Sequence, residues 1–312
     1  MSVKLGIGLS NWESSNGSTE LIWNIIDNAE SQGWDSIWFS DRIIGPRFSL
    51  EPMIMMAATA ARTTTLKFGT SVLAQSIRNP VITAKEIATL DVISQGRVLP
   101  VFGLGGEDPA EYEACGVEKK HRAALIEESI PLIRRLWLES QVTHRGQFFN
   151  LTNVDICPKP IQKPPPLWIG GRSRAALERV GRIGTGWLAS NITPEEAQEG
   201  INIITDTANS YNRTIDQDHY GVILNVVLTE KEPASAELAN NLYITNPRVD
   251  LDIKSYIAAG TAQEIYTRIQ QYVQSGISKF ILRPACSLDQ AVDQLSQLAQ
   301  SILPYFVNPS RG

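Results

Sequence analysis

The fold turns on residues 66–106, LKFGTSVLAQSIRNPVITAKEIATLDVISQGRVLPVFGLGG. Leu66 to Leu73 is apolar and β-branched with glycine inside it, the pattern of a strand buried on both faces of a parallel sheet. Asn79-Pro80 reads as a helix start, an N-cap followed by proline in the first turn, where a missing N–H costs nothing. Val81, Ala84, Ile87, Ala88 and Leu90 recur at helical spacing, and Gly96 supplies the left-handed stop. Arg97 to Phe102 forms the next buried strand and runs into Gly103-Leu104-Gly105-Gly106. The stretch is one strand–helix–strand unit, with its least ordinary backbone at the two strand ends.

The same alternation continues on both sides. Upstream lie a strand over Val3 to Leu9, a helix over Thr19 to Gln32 stopped by Gly33, a strand over Asp35 to Ser40, and a helix over Pro52 to Ala61. Downstream, Pro109 to Cys115 and Arg122 to Leu138 are helical, and Val142 to Ile156 reads as a hairpin about Gly146. Pro158 to Pro166 holds five prolines and is expected as an extended surface connection. Strands then follow at Leu167 to Ile169, Gly186 to Ala189, Gly221 to Leu228 and Lys279 to Arg283. Helices lie between and after them, through Val180 and over Pro194 to Tyr211, Thr261 to Gln274 and Leu288 to Leu303. Residues 230–260 exceed what a connection needs and read as an insertion. Eight strands alternating with helices predict an α/β fold of the (β/α)8 TIM-barrel kind with insertions in the strand–helix loops, one domain over residues 1–312. A doubly wound sheet has the same element order and stays open as the alternative.

Composition narrows the class. The chain has 312 residues, 43% of them hydrophobic and 20% charged, as in ordinary globular proteins. Its net charge of -5 argues against nucleic acid or an anionic membrane as a partner. No stretch is apolar for the length of a membrane span, and the opening residues run directly into a strand, so no signal peptide and a cytoplasmic location are expected. Cys115, Cys157 and Cys286 are odd in number and widely spaced, which gives neither a metal site nor a disulfide framework.

In such a barrel the working residues sit at the C-terminal ends of strands. Those ends carry Asn11-Trp12, Asp41-Arg42, Ser71 to Ala74, Gly105 to Glu107, Gly170 to Ser173, Ser190-Asn191 and Arg283. Gly170-Gly171-Arg172-Ser173 opens directly into a helix, where free N–H groups and the helix dipole favour an anion; it is equally a plain turn that needs glycine. Gly103-Leu104-Gly105-Gly106 has Asp108 where a dinucleotide fingerprint needs its third glycine. Asp41 and Arg42 are a candidate acid and anion-orienting group, or a capped and paired loop. Glu107 is a candidate proton carrier, or a first-turn helix charge. His121, His144 and His219 fall away from strand ends and read as structural.

The segments GWDSIWFSDR (33–42), FGTSVL (68–73), RNPVITAKEIATLDVISQGRVLPVFGLG (78–105), LIRRLWLES (132–140), FFNL (148–151) and PKPIQKPPPLWIGGRSRAALERVGRIGTGW (158–187) resemble, in order and spacing, the luciferase-like FMN- and F420-dependent oxidoreductases. The resemblance implies the barrel and a cofactor, FMN or coenzyme F420, bound at the strand C-termini. It implies that Gly170, Gly171, Arg172 and Ser173, with Ser190, hold the cofactor phosphate, and that Gly105 and Gly106 line the site. It further implies a cis peptide at Ser71–Val72, with Val72 supporting the ring, and hydride transfer or monooxygenation of a small organic substrate. A homodimer and a separate flavin reductase are partners it admits, and a non-catalytic flavin-binding relative is the alternative. One departure stands out: members often have histidine where this chain has Arg42. A guanidinium does not give up its proton in a protein, so Arg42 is expected to act through its charge.

Overall fold

The computed structural model describes residues 2–9, 12–15, 17–45, 48–229, 244 and 247–306. In chain order its elements begin with β1 (Lys4–Gly8), α1 (Glu20–Ser31), β2 (Ser36–Phe39), α2 (Pro52–Arg62), β3 (Lys67–Thr70) and β4 (Leu73–Ala74). Next come α3 (Pro80–Ile93), β5 (Val98–Leu99), β6 (Val101–Gly103), α4 (Pro109–Ala114), α5 (Arg122–Leu138) and the hairpin β7 (Val142–Arg145) and β8 (Asn150–Val154). The second half holds β9 (Trp168–Gly170), α6 (Arg174–Ile183), β10 (Gly186–Ser190), α7 (Pro194–Ser210) and β11 (Tyr220–Leu228). It closes with β12 (Ala258–Gly260), α8 (Ala262–Gln274), β13 (Lys279–Pro284) and α9 (Leu288–Ser301).

Two expected strands are each divided in the structure. The third barrel strand breaks between β3 and β4 at Ser71-Val72, and the fourth breaks at Pro100, which has no N–H for the ladder. With those breaks bridged along the chain, the parallel pairings close into a ring of eight. β1 pairs β2 and β13, β2 pairs β3, β3 pairs β5, and β4 pairs β6. β6 then pairs β9, β9 pairs β10, β10 pairs β11, and β11 pairs β13. The doubly wound alternative is thereby ruled out.

Local chemistry sets the helix starts. Asn79 accepts from the Val81 and Ile82 amides at the head of α3, and Glu51 does the same for Ile54 in α2. Thr193 with Glu196 and Thr261 with Glu264 form complete capping boxes for α7 and α8.

The barrel interior is filled by Trp38, Val101, Trp168, Leu188, Ile223 and Ile281, with Val72 and Leu99 packed against them. Two tryptophans this large fit because glycines face them. A Cβ on Gly69 would stand 2.7 Å from the Trp38 ring, and one on Gly186 would stand 2.4 Å from Trp168 Nε1. At the N-terminal end Lys279 is buried against Asp35, with Lys67 Nζ 3.3 Å from the same carboxylate. Conserving space inside and charge below leaves chemistry to the opposite end.

The expected insertion falls partly outside the described residues, which omit 230–243, 245 and 246. The rest is more ordered than an insertion suggests. Ile244, Tyr256, Ile257 and Ala285 form a small core of their own, and β12 adds a parallel strand beside the end of β11.

Candidate active site

Side chains two residues apart on a strand share a face. Since Trp38, Val101, Trp168, Leu188, Ile223 and Ile281 point inward, the next inward layer toward the C-terminal ends is Ser40, Gly103, Gly170, Ser190, Asn225 and Arg283. The apolar interior therefore gives way to small and polar groups. Val72 covers one side of this floor: a Cβ on Gly103 would stand 2.4 Å from its Cγ2, and one on Gly170 2.7 Å from its Cγ1. The Ser71–Val72 peptide is cis, as the resemblance implied. Arg283 Nη2 donates to Ser71 Oγ at 3.3 Å and Ser40 Oγ at 3.4 Å, while its buried Nε and the buried Oδ1 of Asn225 have no partner among the described residues.

The glycine turn forms part of the rim. Gly171 has φ +126°, which only glycine adopts readily, and its carbonyl accepts from Trp187 Nε1 at 2.7 Å. Gly171, Arg172 and Ser173 are exposed. Ser173 Oγ is taken by the Ala176 amide as the N-cap of α6, leaving the first-turn amides of Arg174 and Ala175 without an acceptor inside the helix. Ser190 ends the adjacent strand, where Leu188 is in register with Gly170. These groups could hold a phosphate, mostly through backbone N–H donors. Behind them Arg248 pairs with Glu196 at 2.9 Å and with Asp250, tying the chain near residue 250 to the start of α7.

Asp41 is fully enclosed. Arg78 grips it with Nε at 3.1 Å and Nη2 at 2.9 Å, and the Ala74 amide donates to Oδ2 at 2.9 Å. Arg78 also reaches Glu51 at 2.9 Å. Both carboxylate oxygens are occupied, so the paired-loop reading describes Asp41 better than the acid. Arg42, half-buried, folds beside Gly45, and its Nη2 is 4.0 Å from where a Gly106 Cβ would stand. It has no ion pair among the described residues. Gly105, at φ +87°, and Gly106 are fixed by Tyr112, whose hydroxyl lies 2.7 Å from the Leu104 carbonyl and 2.8 Å from that of Gly106.

Glu107 turns to solvent, its side chain 77% exposed. Its partners are Arg122 at 2.8 Å and Lys119 at 2.9 Å, which hold its carboxyl below the usual glutamate range, Arg122 foremost. That is a surface ion pair rather than a proton carrier in the mouth. Trp12 is buried and stacked on Phe39 at 5.2 Å. The histidines behave as structural groups: His144 meets Glu128 at 3.0 Å, and His219 the Thr185 carbonyl at 2.7 Å. Reading the sequence missed Arg78 and Asn225. Arg78 stood unmarked before a helix cap, and Asn225 was hidden in an apolar strand, though a lone amide there was itself a signal.

The chain belongs to the luciferase-like monooxygenase family, whose model matches residues 2–283. An F420-dependent glucose-6-phosphate dehydrogenase of Amycolatopsis mediterranei is 28% identical to it over 309 residues, covering 88% of this chain and 91% of that protein. Two solved structures share its fold. Monooxygenase RslO1 from Streptomyces bottropensis superposes with a TM-score of 0.81 at 21% identity, covering 97% of this chain and 100% of that one. An F420-dependent secondary alcohol dehydrogenase, in complex with an F420-acetone adduct, gives 0.80 at 20% identity over 99% and 100%.

Proposed function

We propose that the protein is a flavin- or deazaflavin-dependent oxidoreductase acting on a small organic substrate, with coenzyme F420 as the favoured cofactor and hydride transfer as the favoured reaction. The observation that carries the reading is the floor of the mouth: a small, polar layer with an unpartnered buried donor on Arg283 and an unpartnered buried acceptor on Asn225. Unmade hydrogen bonds of this kind cost about 1–3 kcal/mol each, and a ligand edge that completes them removes the penalty. The family supplies the class, and the F420-dependent relative favours the deazaflavin.

When bound, such a cofactor supplies or accepts a hydride, and FMN in its reduced form also reacts with dioxygen. The chain's own groups do the rest. Gly171 and the free amides heading α6 hold the phosphate, Val72 shapes the floor on which a ring rests, and Asp41 with Arg78 fixes the loops around it. Arg42, at the edge near Gly106, orients an anionic part of the substrate by charge. Arg42 keeps its proton, so it is not the group that carries one during hydride transfer.

The second reading is an FMN monooxygenase, which the fold shared with monooxygenase RslO1 favours, with a separate flavin reductase as a partner that reading admits. In either case the barrel works as one unit from end to end, and a homodimer accords with the resemblance. Anaerobic reduction of F420 by a panel of alcohols and sugar phosphates tests the first reading. Turnover that appears only with reduced FMN and dioxygen, seen as oxygen uptake, would select the second.

A further inference from the structure

Among the described residues, the other buried arginine and lysine each have a carboxylate, and so does half-buried Arg78. Lys279 has Asp35, Arg179 has Glu127 at 3.0 Å, and Arg78 has Asp41. Among the described residues Arg283 has only two serine hydroxyls, although just 6% of the residue is exposed. Burial alone, with no charged neighbour contributing, pulls its guanidinium down to about 10. A cation held this way is costly unless an anion completes it.

The position tells what kind of anion. Arg283 is in register with Asn225 on the neighbouring strand. Asn225 spends its Nδ2 on Asn191 Oδ1 at 3.1 Å, which leaves its Oδ1 an unpartnered acceptor on the strand next to Arg283, whose Nε is likewise unpartnered among the described residues. Nη2 of the same guanidinium rests on Ser71, where the third barrel strand breaks and Val72 covers the floor. A donor carrying positive charge and an adjacent neutral acceptor, both buried, complement a ring edge that offers an anionic oxygen or nitrogen next to an N–H. The pyrimidine edge of a flavin or deazaflavin has that order of groups.

We propose that Arg283 and Asn225 together bind the pyrimidine edge of the ring cofactor and select its ionised form. Arg283 faces the negative end of that edge, and Asn225 Oδ1 accepts from the ring N–H beside it. The inference rests on the oxidoreductase reading above and adds to it the pair of residues that recognise the ring. No covalent step is involved; the residues shift an acid–base equilibrium of the ligand.

The test follows the visible absorption of the bound ring against pH, anaerobically, in the full-length chain. F420 is examined in both redox states and FMN in its reduced state. In the wild type, the ratio of ionised to neutral ring at a given pH should exceed that of the free cofactor by about tenfold. Arg283→Met should abolish the excess, and Arg283→Lys should keep part of it. Asn225→Asp, which hands Arg283 a carboxylate of its own and so favours folding, should abolish it too. A bound wild-type ring that ionises where the free one does overturns the inference, as does an unchanged ratio in Arg283→Met. Those results leave binding intact and so leave the oxidoreductase reading standing; failure of the wild type to bind either cofactor overturns both.

Discussion

Arg78 grips Asp41 through two hydrogen bonds, and the carboxylate it holds has no exposed surface. The same carboxylate accepts from the Ala74 amide, so one residue after the second barrel strand fixes the chain just past the break in the third. Asp41 is thus a brace. Removing the enclosed carboxylate leaves Arg78 with Glu51 alone and takes the acceptor from the Ala74 amide, which costs about 1–3 kcal/mol. Asp41→Ala should therefore lower the melting temperature by several degrees and weaken cofactor binding with it. An unchanged melting temperature with activity abolished would instead mark Asp41 as a proton donor.

Gly171 should resist substitution. Its φ of +126° strains any other residue, and an added Cβ would meet that of Ala176 at 2.7 Å. Gly171→Val should weaken F420 or FMN binding by about tenfold or more, because the amides heading α6 can no longer be presented together. Arg172→Ala should cost less, since its exposed side chain adds charge without shaping the turn. Equal titration curves for Gly171→Val and wild type would remove the turn from the site.

Arg42 acts by charge in this account. Arg42→Lys should keep part of the activity, and Arg42→Met should lose most of it, with the loss in KM if the charge orients substrate. Equal activity in both variants would show a structural residue.

Acid stability should depend on the other end of the barrel. Burial works to raise the Asp35 carboxyl, but the charges of Lys279 and Lys67 outweigh it and hold the group down at about 2. A depressed carboxylate contributes stability that is complete above its ordinary value of 3.8 and disappears as pH falls through about 2. The contribution is about 2 kcal/mol. Urea melts of the wild type should show this loss across that window. Asp35→Asn should be less stable at neutral pH, since it strands a buried Lys279, and should show a flatter acid limb. A limb of the same slope in both proteins would exclude Asp35 as its source.

The barrel was legible because each strand–helix unit repeats one pattern, and because Gly33, Gly96 and Asn79-Pro80 mark the helix ends unmistakably. The breaks inside the third and fourth strands were less so. Pro100 announced one through its missing N–H, and it was passed over because the residues around it are apolar. β12 escaped because three residues carry no period. At the site, the glycine turn and the strand ends followed from topology alone. The roles did not: Asp41 and Glu107 look alike in sequence, and only their partners, 33 to 37 residues away for Asp41 and 12 to 15 for Glu107, separate a brace from a surface ion pair. Arg283 was in view as a strand end, but that no described carboxylate pairs with it is a property of the folded barrel.

The account stands most directly on what the mouth binds. Purified protein titrated with F420 and, separately, with FMN, followed by visible absorption and fluorescence, should saturate with F420 at one molecule per chain and bind FMN more weakly. Saturation by FMN with no response to F420 would transfer the assignment to the monooxygenase reading, and no spectral change with either cofactor would contradict the account.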